Sequence, residues 1–293
     1  MKRAEKRGNP LRQGRSLLAV LPLYLFTIVM VLGPLVYMIA LSFMRRASGG
    51  WGVEAAFTLE NYARILRPVY LGTVWRSLQL ALLSTGCVIL IGYPFGYFMA
   101  RLSSRWQKRI MFLVIVPFWT SSLLRLYGWV IILRRNGILE KALLWLGISD
   151  KPLMLLYSYP AVLIGMVYVL LPFMIYSVYS SAEKMDWSLV EAARDLGASP
   201  MRAFFTVTLR LTMPGLLSGI ILTFIPSMGL YFIADLLGGN KIVLVGSIIQ
   251  EQLSRASDRP FAAAFAVVLM LLTSLFLYLY KKITKTSELE GLI

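Results

Sequence analysis

At 293 residues the chain is 58% hydrophobic and only 15% charged, far from the balance of a soluble domain, so its net charge of +16 points to membrane topology rather than to nucleic acid. A single cysteine, Cys87, excludes an intramolecular disulfide, and the absence of histidine removes the usual general base and the commonest metal ligand. Zinc and iron–sulfur sites are thereby disfavoured, and no Gly-x-x-x-x-Gly-Lys-Ser/Thr loop is present to hold a nucleotide, so no cofactor is expected on this chain.

The first segment carries Lys2, Arg3, Lys6, Arg7, Arg12 and Arg15. The uncharged stretch behind it runs from 16 to 44, too long for the core of a cleaved signal, and is expected to remain as an anchor. A bilayer core needs about 20 apolar residues per helix. Runs meeting that length cover 16–44, 77–100, 158–182, 211–234 and 261–280, and 110–133 adds a sixth if Arg125 is accepted inside it. The expected architecture is all-α: a basic N-terminus (1–15), a six-span membrane domain (16–280) and a short tail (281–293). Six Lys or Arg in 1–16 and four in 101–109 put the N-terminus inside, and an even number of spans brings the tail back to the same side.

On that orientation two loops face outward. The first, 45–75, contains Trp51, Phe57, Asn61 and Tyr62. The second, 134–157, sets Ile138, Leu139, Leu143, Leu144 and Leu146 around Glu140 and Lys141, a pattern for a short amphipathic surface helix. Together they form the surface where an external delivery protein would dock, although interfacial packing accounts for any one of their residues. Prolines 34, 94, 117, 172 and 226 fall inside spans, where each can kink its helix.

The stretch 186–215 is the longest polar interruption that still reads as ordered. Ser188 with Glu191 three residues on predicts a capping box, and Gly197 suits the left-handed residue that ends a helix. Ser199 then offers an N-cap and Pro200 a first helical position, with Met201, Phe204, Phe205 and Thr208 expected along one face of a second helix. The loop 183–211 thus predicts two short helices joined by a glycine turn, on the inner side.

Charge inside a span costs roughly 2.5–3.5 kcal/mol at the helix centre and calls for a reason. Arg125 falls in the third run and Asp235 at the outer end of the fifth. One reading pairs them or lets each reach the outer interface. The other places Asp235 with Trp119, Tyr127 and Tyr231 along a path for a cation, drawn by the carboxylate and by aromatic faces.

Glu191-Ala192-Ala193, Gly197 and the later Pro214-Gly215 resemble the EAA loop of permease subunits of binding-protein-dependent ABC importers. One position departs: Leu209 is followed by Arg210 where that family usually has proline. Val-Pro-Phe-Trp-Thr at 116–120, Leu-Leu-Trp-Leu-Gly at 143–147, Leu-Pro-Phe-Met at 171–174, Asp235-Leu-Leu-Gly-Gly and Arg259-Pro-Phe-Ala-Ala-Ala extend the likeness along the spans. They resemble the B-type permeases of spermidine/putrescine importers. The resemblance implies Glu191, Ala192, Ala193 and Gly197 as the ATPase-coupling residues. It also implies a second homologous permease subunit, two ATP-binding ATPase subunits that hold ATP and magnesium, and an external polyamine-binding protein. The chain itself would be a transport subunit without covalent chemistry, in a bacterial inner membrane. An importer for another small solute and an ion-coupled secondary transporter are the alternatives. The second would show inverted repeats, and none is evident. An intramembrane enzyme would need a nucleophile with a base, which the lack of histidine restricts to Ser–Lys or Asp pairs.

Overall fold

The computed structural model describes residues 10–47, 52–147, 154–239 and 241–290, with 10–21, 23 and 283–290 described by backbone alone. Trp51 and the cations Lys2, Arg3, Lys6 and Arg7 lie outside the described residues. The first apolar run forms α1 (Pro10–Ser42), followed by the two-residue antiparallel ladder of β1 (Arg45–Arg46) and β2 (Val53–Glu54), and by α2 (Glu60–Ile65). The second span, α3 (Pro68–Ala100), begins well before the uncharged run. A proline in the first turn sacrifices no helical hydrogen bond, and Arg76 points to an exposed side.

The third span departs from expectation. Instead of one helix over 110–133, α4 (Ser104–Ile115) tightens into a 3-10 turn at Val116–Trp119. The chain then extends through Thr120 (φ −99°, ψ 151°) before α5 (Ser122–Leu133) and α6 (Ile138–Trp145). The segments Ser104–Trp119 and Ser122–Trp145 meet at 96°. Pro117 sits in the first turn of the 3-10 segment, whose last bond runs from the Thr120 N–H to the Pro117 carbonyl, so the break falls where proline has already interrupted the α ladder. α6 forms where expected but does not segregate its residues as the pattern predicts: Leu139 packs inward, yet Glu140 is buried too, accepting the Asn136 N–H at 2.7 Å, while Ile138, Leu144 and Trp145 are exposed.

The fourth span is α7 (Tyr159–Ala182), started by Ser158, whose Oγ accepts from the Ala161 N–H. Next come α8 (Ser188–Asp195), α9 (Pro200–Ala203), a π-helical turn over Phe204–Thr208 and α10 (Leu209–Gly229). The stretch Pro200–Gly229 is one long apolar helix. The helix expected over 211–234 therefore stops early: Leu230 (φ −77°, ψ 57°) leaves the helical region, and Asp235 belongs to a separate α11 (Tyr231–Gly238). The chain closes with α12 (Val245–Ser254) and α13 (Arg259–Glu290). Among the described residues five helices are long and apolar enough to cross a membrane, or six if the bent pair counts as one span.

The chain divides into two compact units. The larger comprises Leu66–Glu251 and the residues from Leu269 onward. Its centre is α7, gripped from both sides by Gly-x-x-x-Gly stripes, small residues that let backbones approach. On α3, a Cβ added at Gly92 would lie 2.8 Å from Met174 Cγ and one at Gly96 2.8 Å from the Ile175 carbonyl. On α10, a Cβ at Gly215 would meet Ser181 Cβ at 2.4 Å and one at Gly219 Met174 Sδ at 2.5 Å. At the far end Leu126, Val162, Met166, Ile233 and Leu237 form a core that seats α11 against α5 and α7.

The smaller unit joins the residues up to Ile65 with Gln252–Val268. Here Asn61 Nδ2 donates to the carbonyls of Ser42 and Met44 (3.0 and 2.9 Å), satisfying acceptors left over at the end of α1. Tyr62 meets the Ser42 hydroxyl at 2.7 Å and Phe57 stacks on Phe43. Arg64 donates to Asp258 at 2.9 Å, and Asp258 Oδ1 accepts from the Phe261 N–H at the start of α13. Phe57, Asn61 and Tyr62, singled out from sequence, thus act as staples within this unit.

Candidate functional site: a hairpin with an unpaired apolar face

Asp186 starts the hairpin. Its Oδ1 accepts the Ser188 N–H at 3.0 Å, and hydrogen bonding from Ser188 holds its carboxyl below the usual carboxylate range. The capping box expected from Ser188 and Glu191 does not form. Trp187 already has helical angles (φ −68°, ψ −20°), so Ser188 lies inside the first turn, and the cap passes to the residue two positions upstream. Gly197 takes the left-handed conformation (φ 87°), and Ser199 Oγ accepts from the Arg202 N–H at 3.3 Å. These two turns are as the residue types predict.

The hairpin has two unlike faces. Inward, Val190 and Ala203 are buried with Met185, and Trp187, Ala193, Ala198 and Val207 pack around them. Outward, Glu191 and Ala192 lie exposed beside Leu189 (47% exposed), Leu196 (89%), Met201 (67%) and Phe205 (56%). Among the described residues the Glu191 carboxylate has no hydrogen-bond or ion-pair partner. Met201 and Phe205 do not share a face with Phe204 and Thr208, which turn inward; the π-helical turn shifts the register that a plain α-helix would impose. α10 continues through Arg210 unbroken.

An aromatic column ties this hairpin to the second span. Phe204 meets Tyr93 and Tyr97 edge-on, both at 6.0 Å; Tyr97 lies 5.6 Å from Trp187, and the Arg101 guanidinium covers Trp187 at 4.9 Å. Tyr93 Oη and Thr212 Oγ1 are 2.8 Å apart, linking α3 to α10. Sequence reasoning missed this column, although Tyr93 and Tyr97 stand four residues apart on one helical face. Beside the hairpin a cavity of about 720 Å³ runs between α7 and α10, edged by Tyr176, Ser180, Ser181, Asp186 and Ser218.

Of the four residues expected along a cation path, Tyr231 and Asp235 stand one turn apart on α11, and among the described residues no contact joins them to Trp119 or Tyr127. Asp235 Oδ1 accepts from Ser247 Oγ at 3.2 Å and lines a cavity of about 570 Å³ with Tyr157, Phe232 and Lys241. Tyr231 opens α11, with its Cβ close to Gly246. Trp119 lies at the break of the third span, 76% exposed and edge-on to Phe112, and Tyr127 is exposed on α5. Nor do Arg125 and Asp235 pair. Arg125 donates to Ser122 Oγ at 3.1 Å and its guanidinium faces Phe118 and Tyr168, an aromatic seat that supports a cation without a carboxylate.

Residues 92–286 match the family of binding-protein-dependent transport system inner membrane components. The chain is 44% identical over 253 residues to the spermidine/putrescine transport system permease protein PotB of Salmonella typhimurium (strain SL1344), covering 86% of this chain and 88% of that protein. It is 42% identical over 267 residues to PotB of Escherichia coli (strain K12), covering 90% and 97%. Among solved structures, a chain of a bacterial alginate ABC transporter in complex with an alginate pentasaccharide-bound periplasmic protein superposes with a TM-score of 0.73 at 14% identity, covering 96% of this chain and 98% of that one.

Proposed function

Because the chain belongs to the family of binding-protein-dependent transport system inner membrane components, we propose that it is a permease subunit importing polyamines, spermidine or putrescine, across a bacterial inner membrane. The observation that carries the substrate is the 42% identity spanning 97% of a spermidine/putrescine permease. The subunit pairs with a second, homologous permease, receives its cargo from an external polyamine-binding protein, and is driven by two ATPase subunits that bind ATP and magnesium. Both termini and the hairpin 183–211 lie in the cytoplasm.

In this reading the outward face of the hairpin, with Glu191, Ala192 and the Gly197 turn, docks on an ATPase subunit, while Ala193, which packs inward on Val190 and Ala203, couples by holding that face in place. The exposed Leu196, Met201 and Phe205 supply an apolar surface that covering would remove from water, on the order of 25 cal/mol per Å². When ATP closes the ATPase pair, the hairpin moves with it, and the aromatic column passes that motion to α3 while the continuous Pro200–Gly229 helix carries it through the membrane. Asp235 at the far end attracts the ammonium groups of the cargo. Trp119, Tyr127 and Tyr231 would meet that cargo only on a face completed by the second permease.

Affinity purification of the tagged chain from its own host tests the assembly. An ATP-hydrolysing subunit should co-purify in stoichiometric amount and be stimulated by polyamine-loaded binding protein. A transport-active chain purified without any nucleotide-binding subunit would exclude the reading and favour an ion-coupled carrier.

A further inference from the structure

We propose that the outward face of α4 is a binding site for anionic phospholipid headgroups. Gln107, Ile110 and Met111 turn inward: Gln107 Nε2 donates to the carbonyls of Ala100 and Leu102 (3.0 and 2.9 Å), and Ile110 and Met111 pack on the core around Met99 and Ile175. The opposite face is bare. Its first two turns expose Arg105, Lys108 and Arg109 with Trp106, whose ring lies 5.3 Å from the Arg109 guanidinium carbon. The next turns expose only apolar groups, Phe112, Leu113 and Ile115.

Two features identify the occupant. The first is charge: the sequence holds no Asp or Glu between Glu60 and Glu140. The neighbouring Glu183 accepts instead from the Tyr179 hydroxyl at 2.8 Å. Among the described residues none of the three cations has a carboxylate partner within ion-pair distance. The second is tiering. Arg105 and Phe112 are seven residues apart, about 10 Å along a helix, close to the depth of one headgroup layer plus the outermost acyl carbons. A soluble acidic protein would match the lower tier and leave the upper one wet. A phosphodiester on two acyl chains matches both, and Trp106 stands among the cations of the lower tier with its ring beside Arg109.

The inference rests on the membrane placement of the spans and not on polyamine as cargo. The purified full chain, incubated in detergent with equal phosphatidylglycerol and phosphatidylcholine, is examined by native mass spectrometry. A cation at an anionic surface contributes about a fivefold preference, so wild type should retain phosphatidylglycerol in large excess. Arg105→Gln/Lys108→Gln/Arg109→Gln should cut that excess at least about tenfold. Arg134→Gln/Arg135→Gln/Lys141→Gln, equal in charge removed, should leave it within about twofold. Millimolar glycerol phosphate should not displace the lipid, and release by it would show a soluble-phosphate site and overturn the proposal. Equal loss in both triple variants, or none in the first, would also overturn it. So would unchanged lipid retention with loss of a co-purifying subunit, which marks a protein-covered face. Trp106→Ala, which removes no charge but takes away the ring beside Arg109, should lower the excess only about twofold to threefold, and a fall as large as that of the triple cation variant would overturn charge as the source of the preference.

Discussion

The two ends of α10 are built on opposite plans. At one end the helix flares through a π-helical turn into a hairpin that leaves Leu189, Leu196, Met201 and Phe205 in solvent. At the other it breaks at Leu230, and the short α11 folds back so that Ile233, Ala234 and Leu237 are fully buried against α5 and α7. The hairpin holds its inner face with a few contacts and leaves its outer face in solvent. α11 is finished within the chain and offers a single acid to a cavity. On the proposed reading one end is moved by a partner, and the other stays in place and lines a space.

This contrast can be broken at α10 itself. Gly215→Val puts side-chain carbon where Ser181 Cβ and the Ser177 carbonyl already stand at 2.4 and 2.5 Å. Overpacking on this scale typically costs about 1–3 kcal/mol, and here the obstruction is partly backbone. We predict that the variant lowers the detergent unfolding temperature of the whole chain, measured by intrinsic fluorescence, and that both ends lose order together. A variant with wild-type stability would show that the Gly-x-x-x-Gly contact does not hold α10 to α7.

A separation of the two ends should follow from Trp187→Ala. The half-buried indole bridges Tyr97 and Arg101, so its loss costs less than the roughly 3–5 kcal/mol of a fully buried tryptophan. Hydrogen exchange over 186–203 should quicken about tenfold while 231–238 keeps its protection. Equal quickening at both ends would mean the column supports the bundle rather than the hairpin.

Asp235→Asn probes the far end alone. The amide keeps an acceptor for Ser247 but loses the charge, so the fold should hold while polyamine uptake weakens severalfold. Unchanged uptake affinity and rate, at equal amounts in the membrane, would remove Asp235 from the path.

The smallest effect belongs to Asp186. Its folded-state pKa is depressed, chiefly by hydrogen bonding from Ser188, so its stabilisation is present above the ordinary carboxylate pKa and fades as pH falls through the lowered value. Proteolysis at the hairpin should therefore be flat from pH 5 to pH 8 and rise only in stronger acid. Asp186→Asn, which can still accept the Ser188 N–H, should remove that acid dependence with little change at neutral pH.

These two ends also differ in how readily the sequence discloses them. The hairpin turns were legible because Gly197 and Ser199-Pro200 act through local backbone chemistry that needs no neighbours. The length of most spans was legible from the absence of charge. The break at 116–121 was not: of the prolines inside spans, Pro94 and Pro172 leave α3 and α7 continuous, so a proline alone does not say where packing will let a helix part. The start of α11 and the isolation of Arg125 from Asp235 depend on which helices meet, and residue types do not encode that. The aromatic column needs Phe204 turned inward, which only the π-helical register achieves.

The most direct test of the account is labelled spermidine uptake in cells lacking this chain, restored with wild type or with Leu196→Asp/Met201→Asp. The account predicts uptake with wild type and at least a tenfold loss with the variant, at equal amounts in the membrane and with the unfolding temperature unchanged, because charge on the open face of the hairpin blocks the ATPase. If the variant transports as well as wild type, the hairpin is not the coupling surface.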